Sequence, residues 1–134
     1  MTTYGTTLRL DRPFDEAVDA VRAALGEQGF GVLTEIDVRA TMKAKLDVDV
    51  PSQVILGACN PTLAHRAMEI EPSIGLLLPC NVVVRETADG SVVEAINPAV
   101  LAEFTGNETL EPIAHEVGRA LAAAMGALEQ GVLA

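Results

Sequence analysis

The stretch from Val54 to Val84, VILGACNPTLAHRAMEIEPSIGLLLPCNVVV, leaves the chain few ways to fold. Val54 to Ala58 is a short apolar run bounded by Pro51-Ser52, and Ile74 to Glu86 is the most hydrophobic segment of the sequence, apolar on both parities. Both read as strands, the second with both faces covered. Between them, Asn60-Pro61 marks a helix start. The asparagine side chain accepts an otherwise unpaired backbone N–H, and proline suits the first helical position. That helix runs to about Ile70, with Leu63, Ala64, Ala67 and Met68 inward, and Pro72 closes it. Pro79 interrupts the second apolar run. Having no N–H to give a sheet ladder, it requires a bulge, an edge position, or a bend from which pairing begins at Cys80.

The flanks supply the remaining layers. Tyr4 to Leu10 alternates as a strand, and Asp11-Arg12-Pro13 opens a helix whose stripe of Phe14, Val18, Val21 and Leu25 reaches about Glu27. Gly29 is placed to end it in a left-handed cap. Phe30 to Val38 returns to period two, with Phe30, Val32, Thr34, Ile36 and Val38 on one side. Arg39 to Leu46 is a short helix or a loop with one helical turn. After Ala88-Asp89-Gly90-Ser91, Val92 to Ile96 completes a hairpin. Asn97-Pro98 starts a short helical stretch over Ala99 to Phe104, and Thr105-Gly106-Asn107 breaks it. A last helix spans Glu108 to Glu129, burying Leu110, Ile113, Val117, Leu121, Ala124 and Leu128, with Pro112 tolerable in its first turn. Gly118, Ala122 and Gly126 form a smooth track on another face.

A length of 134 residues fits one domain. Four aromatics leave the core to small and branched aliphatic side chains, with few surfaces on which flat ligands stack. The net charge of −10 opposes phosphate backbones and anionic lipid, so neither nucleic acid nor a membrane surface is an expected partner. The opening residues, MTTYGTTLRL, lack the basic start and apolar run of a signal peptide, which points to the cytoplasm and to free rather than bridged cysteines.

The combination of CNP, then LLLPCNVVV, an acidic hairpin and a following proline resembles the domain-of-unknown-function family numbered 302. The likeness runs from the first helix through GFGVLTEIDV, LDVDVP and ILGACNPTLAHRAMEIEPSIGLLLPCNVVV to the terminal helix. It implies an α+β fold similar to that of the TATA-binding protein: strand, helix, four antiparallel strands and helix, with an extra helix between strands and the helices packed on one face of the sheet. It further implies a homodimer. It carries over no catalytic residue, and the likeness to a DNA-binding saddle is one of fold alone.

Chemistry, if present, belongs at the two cysteine-asparagine pairs. Cys59 precedes a helix N-terminus, which can lower a thiol's pKa, whereas a buried cysteine is simply a small hydrophobe. Cys59 and Cys80 are therefore the catalytic candidates, and Asn60 and Asn81 the ligand-binding ones. Asn60 is largely explained as a cap, but an asparagine inside an apolar strand must bond something, so Asn81 suggests a pocket for a small polar ligand. His65 and His115 lack zinc spacing, since His115-Glu116 is not followed by a second histidine three residues on, and no metal or cofactor is expected. Two readings follow: a homodimeric, non-catalytic or small-ligand-binding domain, or a thiol-dependent redox, metal-handling or enzymatic protein using Cys59 and Cys80.

Overall fold

The computed structural model describes residues 3–129. In chain order the elements are β1 (Gly5–Leu10), α1 (Phe14–Glu27), β2 (Gly31–Asp37), α2 (Val38–Leu46), β3 (Gln53–Cys59), α3 (Pro61–Ile70), a 3-10 segment (Pro72–Leu77), β4 (Cys80–Thr87), β5 (Gly90–Ile96), α4 (Ala99–Thr105), a second 3-10 segment (Glu108–Leu110) and α5 (Glu111–Glu129). The five strands form one antiparallel sheet in the order β1-β5-β4-β3-β2. The architecture is α+β, with the order of strands and helices expected from the sequence.

Alternation divides the sheet into two unlike faces. Val54, Leu56, Ala58, Cys80, Val82, Val84, Val93 and Ala95 all point to one side and are buried beneath helices. α1 contributes Ala17, Ala20, Val21, Ala24 and Leu25 to this core, and α5 contributes Ile113, Val117, Leu121, Ala124 and Leu128. Each fully covered Leu, Ile or Val stabilises the fold by about 1.5–3 kcal/mol relative to exposure. The terminal helix buries the stripe its periodicity predicts, and Pro112 sits in its first turn.

The opposite face carries Thr7, Glu94, Val83, Ile55 and Ile36 in one row, and Asn81, Gly57 and Thr34 in the next. None of the helices that fill the core covers these rows. A third row, Arg9, Val92, Arg85 and Gln53, runs toward α2, whose Val38 and Met42 face a groove there. Asp37 holds the start of α2, accepting the Ala40 N–H at 2.9 Å.

Two expectations about the strands are corrected, and on α3 Met68 is 45% exposed rather than inward. The run Ile74–Leu78 is not part of a strand: Pro72 starts a 3-10 segment, and pairing begins only at Cys80, after a bend at Pro79. Ile74 is wholly buried there, whereas Leu76 is 88% exposed, so the run's continuous hydrophobicity is not continuous burial. The second correction concerns β2. Its register slips between Val32 and Thr34, leaving Leu33 as the extra residue of a bulge. Phe30 and Val32 consequently serve the core, while Thr34 and Ile36 turn to the bare face, where Ile36 is 48% exposed.

Candidate functional site

β3 and β4 bring the two cysteine-asparagine pairs to one end of the sheet. Ala58 lies directly opposite Cys80, and Gly57 opposite Asn81, so Cys59 sits one residue beyond Cys80's cross-strand partner. The pairing follows from the sequence around it. Cys59 is the last residue of a strand that must stop because Asn60 caps α3, and Cys80 is the first residue able to pair after Pro79.

Asn60 behaves as its position demands. Its Oδ1 accepts the Leu63 N–H at 3.2 Å, and Pro61 occupies the first turn. Gly29, at φ +84°, ends the α1 turn beside the Asn60 amide, in a backbone conformation suited to glycine.

Cys59, Asn60 and Cys80 border a cavity of about 30 Å³ closed by Phe30, Leu63, Leu78 and residues of α5. Its walls are almost entirely apolar, and the space is that of a water or a methyl group. Asn81 does not line it. It lies one residue further along β4, on the bare face, exposed and, among the described residues, with no side-chain hydrogen bond. Solvent therefore meets the requirement that a buried asparagine would have placed on the protein. On that face Thr34 and the Pro79 ring close over Gly57, a contact that only the folded pairing reveals.

The thiols are set by burial. Cys59 is partly exposed and Cys80 is buried. Burial raises the Cys59 pKa. Burial, and then the neighbouring Cys59, push the Cys80 thiol up to about 11. Near neutrality both are protonated, weak nucleophiles and poor metal ligands.

Neither histidine joins them. His65 stands exposed on α3 with Nδ1 3.6 Å from Glu69, and His115 is exposed on α5 beside the α4 groove. Among the described residues, no three side chains of His, Cys, Asp or Glu converge in a way that could hold a metal ion. No helix among them is long and apolar enough to cross a membrane.

Sequence reasoning found the cysteines and the Asn60 cap because these are local signals. It missed Thr34, Phe30 and Leu63 as neighbours of the site, since each arrives from another element. The lone hint was Gly57, an isolated glycine in an apolar strand, which often marks close backbone approach.

Comparison with known proteins agrees with this architecture. The chain superposes on the crystal structure of an uncharacterized conserved protein, DUF302, from Bacillus stearothermophilus, with a TM-score of 0.85 and 26% sequence identity, over 93% of this chain and 98% of that one. Among curated proteins, none matches. The model of the family described as "Domain of unknown function DUF302" matches residues 6–128, nearly the whole chain, which therefore belongs to the DUF302 family.

Proposed function

We propose that this chain is a non-catalytic domain that works as a homodimer, two copies meeting through the sheet face that the core helices leave bare. The observation that carries this reading is the contrast between that face and the rest of the molecule. Ile36, Ile55 and Val83 give it an apolar centre beside Gly57. Its one acidic side chain in these rows, Glu94, is already engaged: Oε1 accepts Arg85 Nη2 at 2.6 Å and Oε2 accepts the Thr7 hydroxyl at 3.1 Å. A chain of net charge −10 repels its own copy over most approaches. This face is where that repulsion is least and where apolar burial is available.

Small-ligand binding at the cysteine-asparagine pairs is the accompanying reading. The cavity beside Cys59, Asn60 and Cys80 suits a small apolar group, while Asn81 would serve the dimer face instead. The thiol-dependent alternative is weakened by the raised pKa of both cysteines.

Light scattering on size-separated protein tests the proposal. The native chain is expected to elute as a dimer at about 10 μM, in the range of specific protein association, and Ile55→Glu as a folded monomer. A native chain that stays monomeric at that concentration, or an Ile55→Glu variant that stays dimeric, overturns it.

A further inference from the structure

β1 is an outermost strand, hydrogen-bonded to β5 on one side only. The Tyr4 carbonyl accepts the Asn97 N–H at 2.8 Å and so points toward β5. Along a strand, the backbone groups of successive residues point to opposite sides. The N–H and C=O of Thr6, Leu8 and Leu10 therefore join the β5 ladder, while those of Gly5, Thr7 and Arg9 point outward. Among the described residues, none of these outward groups has a hydrogen-bond partner.

The two margins of the sheet differ. β2 is interrupted by the slip at Leu33, whereas β1 runs six residues in unbroken register with β5, with no proline, lysine or bulge. Those are the devices that usually guard an outer strand. A row of unpaired donors and acceptors at strand spacing fits one kind of occupant, another extended strand.

The residues of β1, GTTLRL, suit a copy of themselves. Laid antiparallel about Thr7, Gly5 of each copy faces the partner's Arg9, and Thr7 faces the partner's Thr7. All are positions whose outward backbone groups meet, so every outward N–H finds a C=O. Arg9, the strand's one charge, lies opposite a glycine rather than opposite its own counterpart. Leu8, half-buried on the helix side, gains the partner's Thr6 as its neighbour.

We propose that β1 is a self-association edge, which takes the β1 of a second copy in this register and joins the two sheets into one. The helices of both copies then lie on the same side. The outer margins are the two interrupted β2 strands, so the contact closes on itself. It uses none of Ile36, Ile55 and Val83, and is independent of pairing across the flat of the sheet. A net charge of −10 on each copy opposes it. The expected dissociation constant is therefore about 0.1–1 mM, above the concentration at which the flat faces pair.

Amide NMR on the full chain, from about 0.05 to about 2 mM, tests it. The N–H signals of Gly5, Thr7 and Arg9 are expected to move saturably with concentration and to gain protection from hydrogen exchange. Those of Thr6 and Leu8, already bonded to β5, should move far less. Thr7→Pro removes an outward N–H without touching the β5 ladder, and should weaken the association at least about 10-fold. Should Thr7→Pro fail to fold, Gly5→Pro at the first position of the strand decides, with an expected loss of at least about 5-fold. Outward signals that stay still, equal movement of both sets, movement centred instead on Ile36, Ile55 and Val83, or unchanged association in the folded variant would each overturn the proposal. So would a response of the outward signals to an added Thr-Val peptide but not to chain concentration, which would give the edge to a foreign strand.

Discussion

The Cγ of Pro79 stands 2.7 Å from the point a Cβ on Gly57 would occupy, and Thr34 Oγ1 stands closer still. β3 and β4 can pair at this end only because residue 57 has no side chain on the bare face. The Thr34 side chain, on an edge strand, has room to rotate. The Pro79 ring, fixed in the bend before Cys80, has much less.

Gly57→Ala is therefore expected to destabilise the fold by about 1–3 kcal/mol, the usual cost of forcing extra atoms into a packed contact. Urea unfolding checks this: the midpoint should fall with little change in slope. An unchanged midpoint would mean that the ring yields freely.

The thiols predict a pH dependence of definite sign. Cys80's pKa is raised on folding, so the folded chain keeps a proton that the unfolded chain releases above the ordinary thiol value of 9.0. Stability from this group is present in full below pH 9 and is lost as pH rises through about 11. Denaturant midpoints between those limits should fall for the native chain and fall less for Cys80→Ala, after allowance for that variant's lower baseline.

The same burial predicts alkylation behaviour. At neutral pH iodoacetamide should modify both cysteines slowly, Cys59 before Cys80, with rates climbing as the solution becomes alkaline. Rapid labelling of Cys59 at or below neutrality, followed by mass spectrometry, would revive the thiol-dependent reading.

If two copies pair through the bare face, salt should tighten the association. The face contributes little unpaired charge, whereas the remainder of each chain repels its neighbour, and raising ionic strength from about 0.05 to about 0.5 M shortens the reach of that repulsion. Sedimentation equilibrium at both salt concentrations measures the change. Weakening with salt would instead indicate an interface held by ion pairs.

Asn60→Ala should cost about 1 kcal/mol through loss of the bond to the Leu63 N–H, and Leu121→Ala about 2–5 kcal/mol through the cavity left in the core. Thermal unfolding should rank Leu121→Ala well below Asn60→Ala. The reverse order would remove α5 as the main lid of the sheet.

These sites also mark what the sequence could disclose. Leu121 and its stripe were legible because helical period and burial coincide over the whole of α5. Asn60 was legible because capping chemistry is local. The run from Ile74 to Leu78 was misread as strand because hydrophobicity reports a preference for burial without reporting backbone geometry, and Pro72 and Pro79 impose a different path at its two ends. Asn81 was misjudged for a related reason. Its flanking residues, Cys80 and Val82, are buried in the core, but whether its own side of the sheet is roofed depends on helices distant in the chain. The groove beside α2 could not have been found from spacing, since Met42, Val50, Arg85 and Val92 meet only through a helix, a loop and two strands.

The slip at Leu33 reaches beyond the aim of a few side chains. A straight, apolar outer strand would give any passing β-segment an uninterrupted template, the route by which sheets extend into fibrils. With one residue out of step, β2 breaks the spacing of its outward amides, so the margin nearest Ile36 is a poor seed for runaway growth. A chain that exposes so many branched aliphatic residues can then meet a partner across the flat of its sheet without recruiting a third along the rim.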